Sequence, residues 1–212
     1  SLSRSTCNPL RFEAAVAGAV PGIVGLQDGL AGDRVTRIEG VVNGTCNFVL
    51  SRMTDGGVSQ DEAVREAQAR GFAEADPAAD LDGLDARAKL SVLAAIGLGR
   101  HLPPRGIRAG SIRGIDAGDL EAAASIGRVI RQVVWAERPA LESGAMTAGV
   151  GPALVRRDSW LGRARGPENV VLVHGERAVV RTVGLRSGAA GEGLHVVAGH
   201  GRFVIGEAQE AA

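Results

Sequence analysis

The strongest constraint on the fold is the division of the chain into a helical first half and a strand-rich second half. Three segments before residue 100 show helical periodicity or helix-capping residues, namely 43–53, 59–71 and 82–99. Four segments after residue 127 alternate in polarity or are rich in β-branched residues, namely 128–138, 142–155, 169–176 and 177–186. Elements grouped in this way are typical of α+β proteins. We therefore expect an α+β fold in which a mixed β-sheet is covered by helices on one face.

Local signals set the boundaries of individual elements. Ser59 and Glu62 have the spacing of a capping box, and the helix before them is capped by Asn43 or Thr45. A hairpin is expected around Gly175. The other expected elements are strands over 34–42 and 111–116, a helix over 117–127 capped by Asp119, and an extended start to 12–32 with a turn at Pro21–Gly22 and a helix after it. The whole chain is expected to be a single domain with an uncertain glycine-rich tail over 187–212.

Composition limits the classes of partner. Hydrophobic residues make up 45% of the 212 residues, which is enough for a packed core. The formal net charge is zero and only 3% of the residues are aromatic, so neither electrostatics nor base stacking favours nucleic acid or an anionic membrane. Cys7 and Cys46 lack the spacing of a metal or redox motif, which favours a soluble protein of the reducing cytoplasm.

Lys89 is the only lysine of the chain, since arginine supplies every other position among the 24 basic residues. If Asp82 is the N-cap of the helix that contains it, Asp85 falls in the first turn and Lys89 lies four residues further on the same face. Leu93 and Ile96 continue this face as an apolar stripe. We therefore expect Lys89 to point towards a buried surface or a cleft.

Two interpretations of Lys89 follow. An exposed ion pair with Asp85 would contribute about 0.3–0.5 kcal/mol and have no further role. Alternatively, Lys89 is a desolvated ammonium held by Asp85 and by the carboxylates of the preceding loop, Glu74, Asp76 and Asp80. Arginine stays protonated under all ordinary conditions, whereas lysine can exchange a proton. The second interpretation predicts a site that requires a titratable cation.

Several blocks of sequence resemble homoserine dehydrogenase. They are "FEAAVAGAVPGI", "RIEGVVNGTCNFVLSRM", "ARGFAEADPAADLDGLDARAKLSVLA" and "SIRGI". Their order and spacing follow the family from about residue 10 to residue 183. The combination of "NGTCN" with the acidic block around Lys89 is long and specific. The resemblance implies the catalytic domain of that family, which interconverts L-homoserine and L-aspartate 4-semialdehyde with NAD(P).

The resemblance also implies roles for individual residues. Asp85 and Lys89 would be the catalytic pair beside the substrate hydroxyl, with the lysine shuttling the proton. Glu74 would hold the ammonium or hydroxyl group of the amino-acid substrate, and Asp80 would help to bind it. Two further residues would line the pocket, namely Thr45 and Phe72, the latter standing where the family often has tyrosine.

The family's cofactor half has no counterpart in the sequence. No glycine-rich strand-turn-helix motif precedes the resemblance, "GVG" (149–151) and "GEG" (191–193) look like turns, and "LRSGAAGEGLHVV" matches the cofactor-side segment poorly. NAD(P) would therefore be bound by a nucleotide-binding half outside this chain. A Na⁺ or K⁺ ion is implied in the loop of "EAAVAGAV", where a small-residue loop packed on a helix is an equally natural structure. Its main-chain ligands would be Glu13, Val16, Gly18 and Val20.

The sequence leaves two functions open. The first is the substrate-binding and dimerisation part of a homoserine dehydrogenase, forming a homodimer through its sheet. The second is a non-catalytic relative that has lost cofactor binding and keeps the amino-acid pocket. Glu74, Asp85 and Lys89 favour the enzyme, and the altered C-terminal segment favours the alternative.

Overall fold

The described residues form one seven-stranded sheet with helices. The computed structural model describes residue 16 and residues 33–139, 145–176, 179–185 and 194–199, the last two ranges as backbone. The strands are β1 Val35–Val41, β2 Arg108–Ala109, β3 Arg128–Glu137, β4 Thr147–Arg156, β5 Glu168–Gly175, β6 Val179–Leu185 and β7 Leu194–Gly199. The helices are α1 Gly44–Gly56, α2 Gln60–Ala69, α3 Ala78–Leu81, α4 Leu84–Gly97, α5 Ala117–Ser125 and α6 Trp160–Arg163, with a 3₁₀ turn at Pro104–Gly106.

The sheet is mixed, as the sequence predicts. Its strand order is β2-β4-β3-β1-β5-β6-β7. The short β2 pairs with β4 in parallel, and the other neighbours are antiparallel. β5 and β6 pair as the expected hairpin, and a further strand, β7, lies within the tail whose structure the sequence leaves uncertain. β1 lies between β3 and β5, so the turn after β1 opens at the centre of the sheet.

The longer helices cover one face of the sheet. Ile38, Val134 and Val171 point to this face and pack in one cluster with Leu90 and Leu93 of α4. A second cluster joins α1, α2 and α5 on the same face, with Ile130 of β3 as its contact to the sheet. The α+β architecture is thus confirmed, and it brings the start of α1 and the start of α4 next to β1.

The short helix α6 covers part of the opposite face. Leu161 and Ala164 pack there against residues of three central strands. Arg131 is completely buried beneath them and donates hydrogen bonds to the carbonyl oxygens of Gly162 (3.3 Å) and Ala164 (3.0 Å). Burial, the largest effect, lowers the pKa of this guanidinium to about 10. Arg131 therefore fastens α6 to the sheet.

Several local expectations are wrong. Residues 111–116 are a loop that turns at Gly114, where φ is 87°. The cap of α5 is Asp116, and Asp119 is its partner in a capping box. The segment 149–151 lies within β4 and is not a turn.

Other expectations concern residues outside the described ranges. They include the turn at Pro21–Gly22 with its following helix, the "GEG" turn, Cys7, and the expected cation ligands Glu13, Gly18 and Val20. Val16 is described. It is helical and buried in the cluster that contains α4, whereas an extended backbone is expected at this point.

Candidate active site

The turn between β1 and α1 forms one wall of the site. Asn43 caps α1, because its side-chain oxygen accepts a hydrogen bond from the backbone N–H of Cys46 at 2.8 Å. The next residue, Gly44, packs so closely that a Cβ atom there would lie 3.1 Å from the carbonyl oxygen of Pro167. Of the two expected caps, Asn43 is the one used.

The junction between α3 and α4 forms the opposite wall. The N-cap of α4 is Gly83 and not Asp82 as the sequence predicts. Gly83 has a φ of 74°, and a Cβ there would lie 3.1 Å from the carbonyl oxygen of Gly110, so glycine is favoured on both grounds. Asp82 instead accepts hydrogen bonds from Ser111 and Arg113, both at 2.9 Å, and these bonds hold its pKa below the usual range. This sharp junction places Asp80 and Asp85 on the same side.

Lys89 lies in the second turn of α4 and points into the site. Its Nζ atom is 2.6 Å from Oδ2 of Asp85 and donates to the carbonyl oxygen of Val42 at 3.1 Å. The Lys89 side chain is only 15% exposed, against 33% for that of Asp85. The lysine of this ion pair is therefore largely buried, unlike the lysine of an ordinary exposed ion pair.

Asn43 connects the lysine pair to a second carboxylate. Its Nδ2 atom donates to Oδ1 of Asp80 at 2.6 Å and to Oδ2 of Asp85 at 2.8 Å. The Asn43 side chain is buried, so the donor end of these bonds is shielded from water. The two carboxylates, the amide and the ammonium are consequently linked in one group by two hydrogen bonds and an ion pair.

The backbone of Asp80 is fixed from behind by two buried side chains. The thiol of Cys46 donates to the carbonyl oxygen of Asp80 at 3.1 Å, and Nε2 of Gln132 donates to the same oxygen at 3.2 Å. Burial raises the pKa of the Cys46 thiol well above its usual value, and the charges of Asp80 and Asp85 add to this effect. Cys46 is therefore a protonated, structural thiol in this environment.

Thr45 and Phe72 also come together. The Thr45 hydroxyl donates to the carbonyl oxygen of Phe72 at 2.6 Å. The Phe72 ring packs against Phe48, with ring centroids 5.1 Å apart. Thr45 thereby ties the segment that leads into the acidic block to the start of α1.

The loop carboxylates do not all join the site as expected. Asp76 accepts a hydrogen bond from the backbone N–H of Ala78, the first residue of α3, at 3.0 Å. Glu74 is exposed, and its carbonyl oxygen accepts from Gln68. Among the described residues only Asp85 pairs with Lys89, so the expectation of four carboxylates around the ammonium is wrong.

Neither a metal cluster nor a membrane-spanning helix is found in the described part of the chain. There, no three histidine, cysteine or acidic side chains are placed to hold an ion. Likewise, no described helix is both long and apolar enough to cross a bilayer.

Sequence reasoning missed Asn43 as a bridge and Gln132 as a support. The available signal for Gln132 was a polar residue in phase with Ile130 and Val134, the buried positions of β3 that face the helices. For Asn43, the capping role was recognised and its two free N–H groups were overlooked.

The fold and the site define an α+β domain with a partly buried lysine–aspartate pair beside a second carboxylate. A sequence model of the homoserine dehydrogenase family matches residues 21–198. The chain therefore belongs to the homoserine dehydrogenase family.

Individual relatives agree with this assignment. The chain is 42% identical to homoserine dehydrogenase of Synechocystis over 166 residues, which are 78% of this chain and 38% of the relative. It is 35% identical to that of Bacillus subtilis over 165 residues, or 78% and 37%. The crystal structure of a homoserine dehydrogenase from Thiobacillus denitrificans superposes with a TM-score of 0.78 at 35% identity, covering 85% of this chain and 41% of that one. The chain thus spans about two fifths of the length of these relatives.

Proposed function

We propose that the chain is the substrate-binding and catalytic part of a homoserine dehydrogenase, which interconverts L-homoserine and L-aspartate 4-semialdehyde with NAD(P). The observation that carries the proposal is the largely buried Lys89 ammonium, held 2.6 Å from Asp85. A lysine in such a position can give a proton to, or take one from, a substrate oxygen, which arginine cannot do. Family membership supplies the class of substrate.

The negative charge beside Lys89 suits a substrate that carries an ammonium group. Asp80 and Asp85 together outnumber the one lysine, so the group of side chains has room for a further cation. We assign to Asp80 a part in binding the amino-acid substrate. Glu74, whose exposed side chain can turn towards a ligand, would hold the ammonium or hydroxyl group of that substrate. Thr45 and Phe72 would line the remaining wall.

The proton step follows from the atoms around Lys89. The ammonium donates one hydrogen to the carbonyl oxygen of Val42 and lies 2.6 Å from Asp85, so it keeps a hydrogen that it can give to a substrate oxygen. In the reducing direction Lys89 donates this proton as the carbonyl oxygen of the semialdehyde becomes a hydroxyl. In the oxidising direction the neutral amine takes the hydroxyl proton while the carbonyl forms. Asp85 orients the amine and stabilises its charged form throughout.

We assign the dinucleotide site to a nucleotide-binding half outside this chain. The first residue of α1 after β1 is Gly44, and this helix is capped by Asn43 and packed against Pro167, so its N-terminus is not free to hold a phosphate. NAD(P), bound by a nucleotide-binding half, would supply the acceptor or donor of the hydride. The steps assigned to this chain are therefore substrate binding and proton transfer. The Na⁺ or K⁺ site at Glu13, Val16, Gly18 and Val20 remains a proposal from the resemblance.

We further propose a homodimer that forms through the sheet and acts in the cytoplasm, in the biosynthesis of threonine and methionine. Within the described part of the chain, β2 pairs with only two residues of β4, so the outer edge of β4 beyond Val150 has no strand beside it. Leu154 on this stretch is 53% exposed. An open edge with an exposed apolar side chain favours pairing with a second copy.

The test is activity of the chain fused to the nucleotide-binding half that the resemblance implies, taken from the Synechocystis relative. We expect homoserine-dependent formation of reduced nicotinamide, and an Asp85→Asn fusion should lose about 10²-fold or more in kcat. Asp55→Asn is the matched control, because Asp55 is 52% exposed and pairs with Arg165 outside the site. A fusion that binds NAD(P) yet does not oxidise homoserine would contradict the proposal and favour the non-catalytic alternative.

A further inference from the structure

We infer that Asn43 is a positioning residue that sets the geometry of the proton-transfer pair by bridging Asp80 and Asp85, and that a carboxamide is required there. The inference rests on the proposed function for its catalytic consequence. Its structural content stands on the contacts of the Asn43 side chain alone.

All the strong hydrogen-bonding groups of Asn43 are used. The side-chain oxygen accepts from the N–H of Cys46 at 2.8 Å, and the two hydrogens on Nδ2 go to Asp80 at 2.6 Å and Asp85 at 2.8 Å. The residue is 3% exposed, so water cannot readily replace these partners. A helix cap requires only the acceptor. The two donated bonds therefore serve another purpose.

The bond to Asp85 determines which oxygen is left for a substrate. Oδ2 of Asp85 accepts a hydrogen bond from Asn43 and forms the ion pair with Lys89, whereas Oδ1 accepts from no side chain in the described part of the chain. With Oδ2 held from two directions, the carboxylate cannot rotate to offer that atom elsewhere. Oδ1 is consequently presented towards the open side of the site.

The residue before Asn43 fixes the other member of the pair. The carbonyl oxygen of Val42 accepts from Nζ of Lys89 at 3.1 Å. Two consecutive residues of the β1–α1 turn thus hold both the lysine and its aspartate. A shift of this turn would move the two groups relative to a substrate, and a misplacement of about 1 Å can cost about 10²-fold in rate.

A carboxamide is the side chain that suits this position. Aspartate has nearly the same shape and is an equally good cap. Once ionised, however, it has no hydrogen to donate and would put a third carboxylate within hydrogen-bonding distance of two others. Asn43→Asp therefore separates the capping role from the bridging role.

The test compares Asn43→Asp with Asn43→Ser, which also caps, and with Asn47→Asp. Asn47 is the matched control, because it is buried one turn along α1 and donates to the carbonyl oxygen of Glu168, away from the carboxylates. In the fusion with a nucleotide-binding half, we expect Asn43→Asp to lose about 10²-fold in kcat. Its kcat relative to the parent should fall as pH rises, since the new carboxyl can donate only while protonated. Asn43→Ser should show a loss that does not change with pH, and Asn47→Asp should keep the parent kcat below its melting temperature.

A second measurement does not depend on activity. In thermal unfolding of the chain without its fusion partner, the Tm of Asn43→Asp should lie about 5 °C below that of the parent at neutral pH. This gap in Tm should close as the pH falls and the carboxyls are protonated. For Asn43→Ser the gap should stay constant. An Asn43→Asp variant with parental kcat, or a gap insensitive to pH, would overturn the inference. If the parent fusion does not act on homoserine, the proposed function fails, and the pH dependence of the gap still decides whether the bridge exists.

Discussion

Exchanging Lys89 for arginine tests whether the site needs a proton or only a positive charge. Arginine keeps the charge that faces Asp85, and a guanidinium can also donate to the carbonyl oxygen of Val42. It does not release its proton at working pH. In the fusion with a nucleotide-binding half, we expect Lys89→Arg to reduce kcat by about 10²–10⁴-fold.

The structure separates this loss from a loss of stability. Lys89→Met removes the ion pair and leaves the buried carbonyl of Val42 without its described side-chain donor. The cost should be about 1–3 kcal/mol, with the lower end favoured because Asp85 is partly exposed and keeps its bond from Asn43. That corresponds to a fall of about 2–12 °C in Tm for a chain of this size. Lys89→Arg should shift Tm by less than this, since the ion pair remains.

Steady-state kinetics and thermal unfolding are measured for the parent, Lys89→Arg and Lys89→Met, and they give kcat and Tm for each. Arg87→Lys is a suitable control, because it makes the reverse exchange on the same helix. Lys89→Ala adds a further readout, since a small primary amine in solution should restore part of its activity and guanidine should not. A Lys89→Arg fusion with most of the parental kcat would refute the proton-transfer role.

Two further changes test supporting contacts. Arg131→Met removes the donor to the carbonyls of Gly162 and Ala164. We therefore expect faster amide hydrogen exchange over 159–164 and a loss of about 1–3 kcal/mol in the free energy of unfolding. Unchanged protection from exchange there would show that α6 is held by its apolar contacts alone. The hydrogen bonds from Ser111 and Arg113 lower the pKa of Asp82, so its contribution to stability is present above its ordinary pKa and disappears as the pH falls through the lower value in the folded state. Asp82→Asn should therefore flatten the loss of stability below about pH 4 in urea titrations, and an unaltered acid limb would contradict this assignment.

The elements whose signals are local were predictable from the sequence. The capping box of Ser59 and Glu62 is formed, and α1, α4 and the β5–β6 hairpin lie where periodicity and turn residues put them. The alternating polarity and β-branched residues of β3 and β5 also identified these two central strands. These features depend on residues within one turn or one strand of each other, so no tertiary information was needed.

Features decided by distant contacts were not predictable in the same way. Asp82 is a better N-cap than glycine by local preference, yet Ser111 and Arg113 engage it and Gly83 takes the cap position. The bridge made by Asn43 requires three segments to meet, the β1–α1 turn, α3 and α4. The helical periodicity indicated that Lys89 faces inward. That Asp76 does not pair with Lys89 follows only from the folded structure.

The central claim is that the ammonium of Lys89 meets the substrate, and the single lysine of the chain allows this to be observed directly. The chain can be labelled with ¹⁵N-lysine and ligated to an unlabelled nucleotide-binding half, so that Lys89 gives the only lysine side-chain signal. We predict that L-homoserine shifts this signal saturably, with half of the change at the concentration that half-saturates turnover, and that Asp85→Asn weakens the response. A Lys89 signal that does not move at homoserine concentrations saturating turnover would contradict the account.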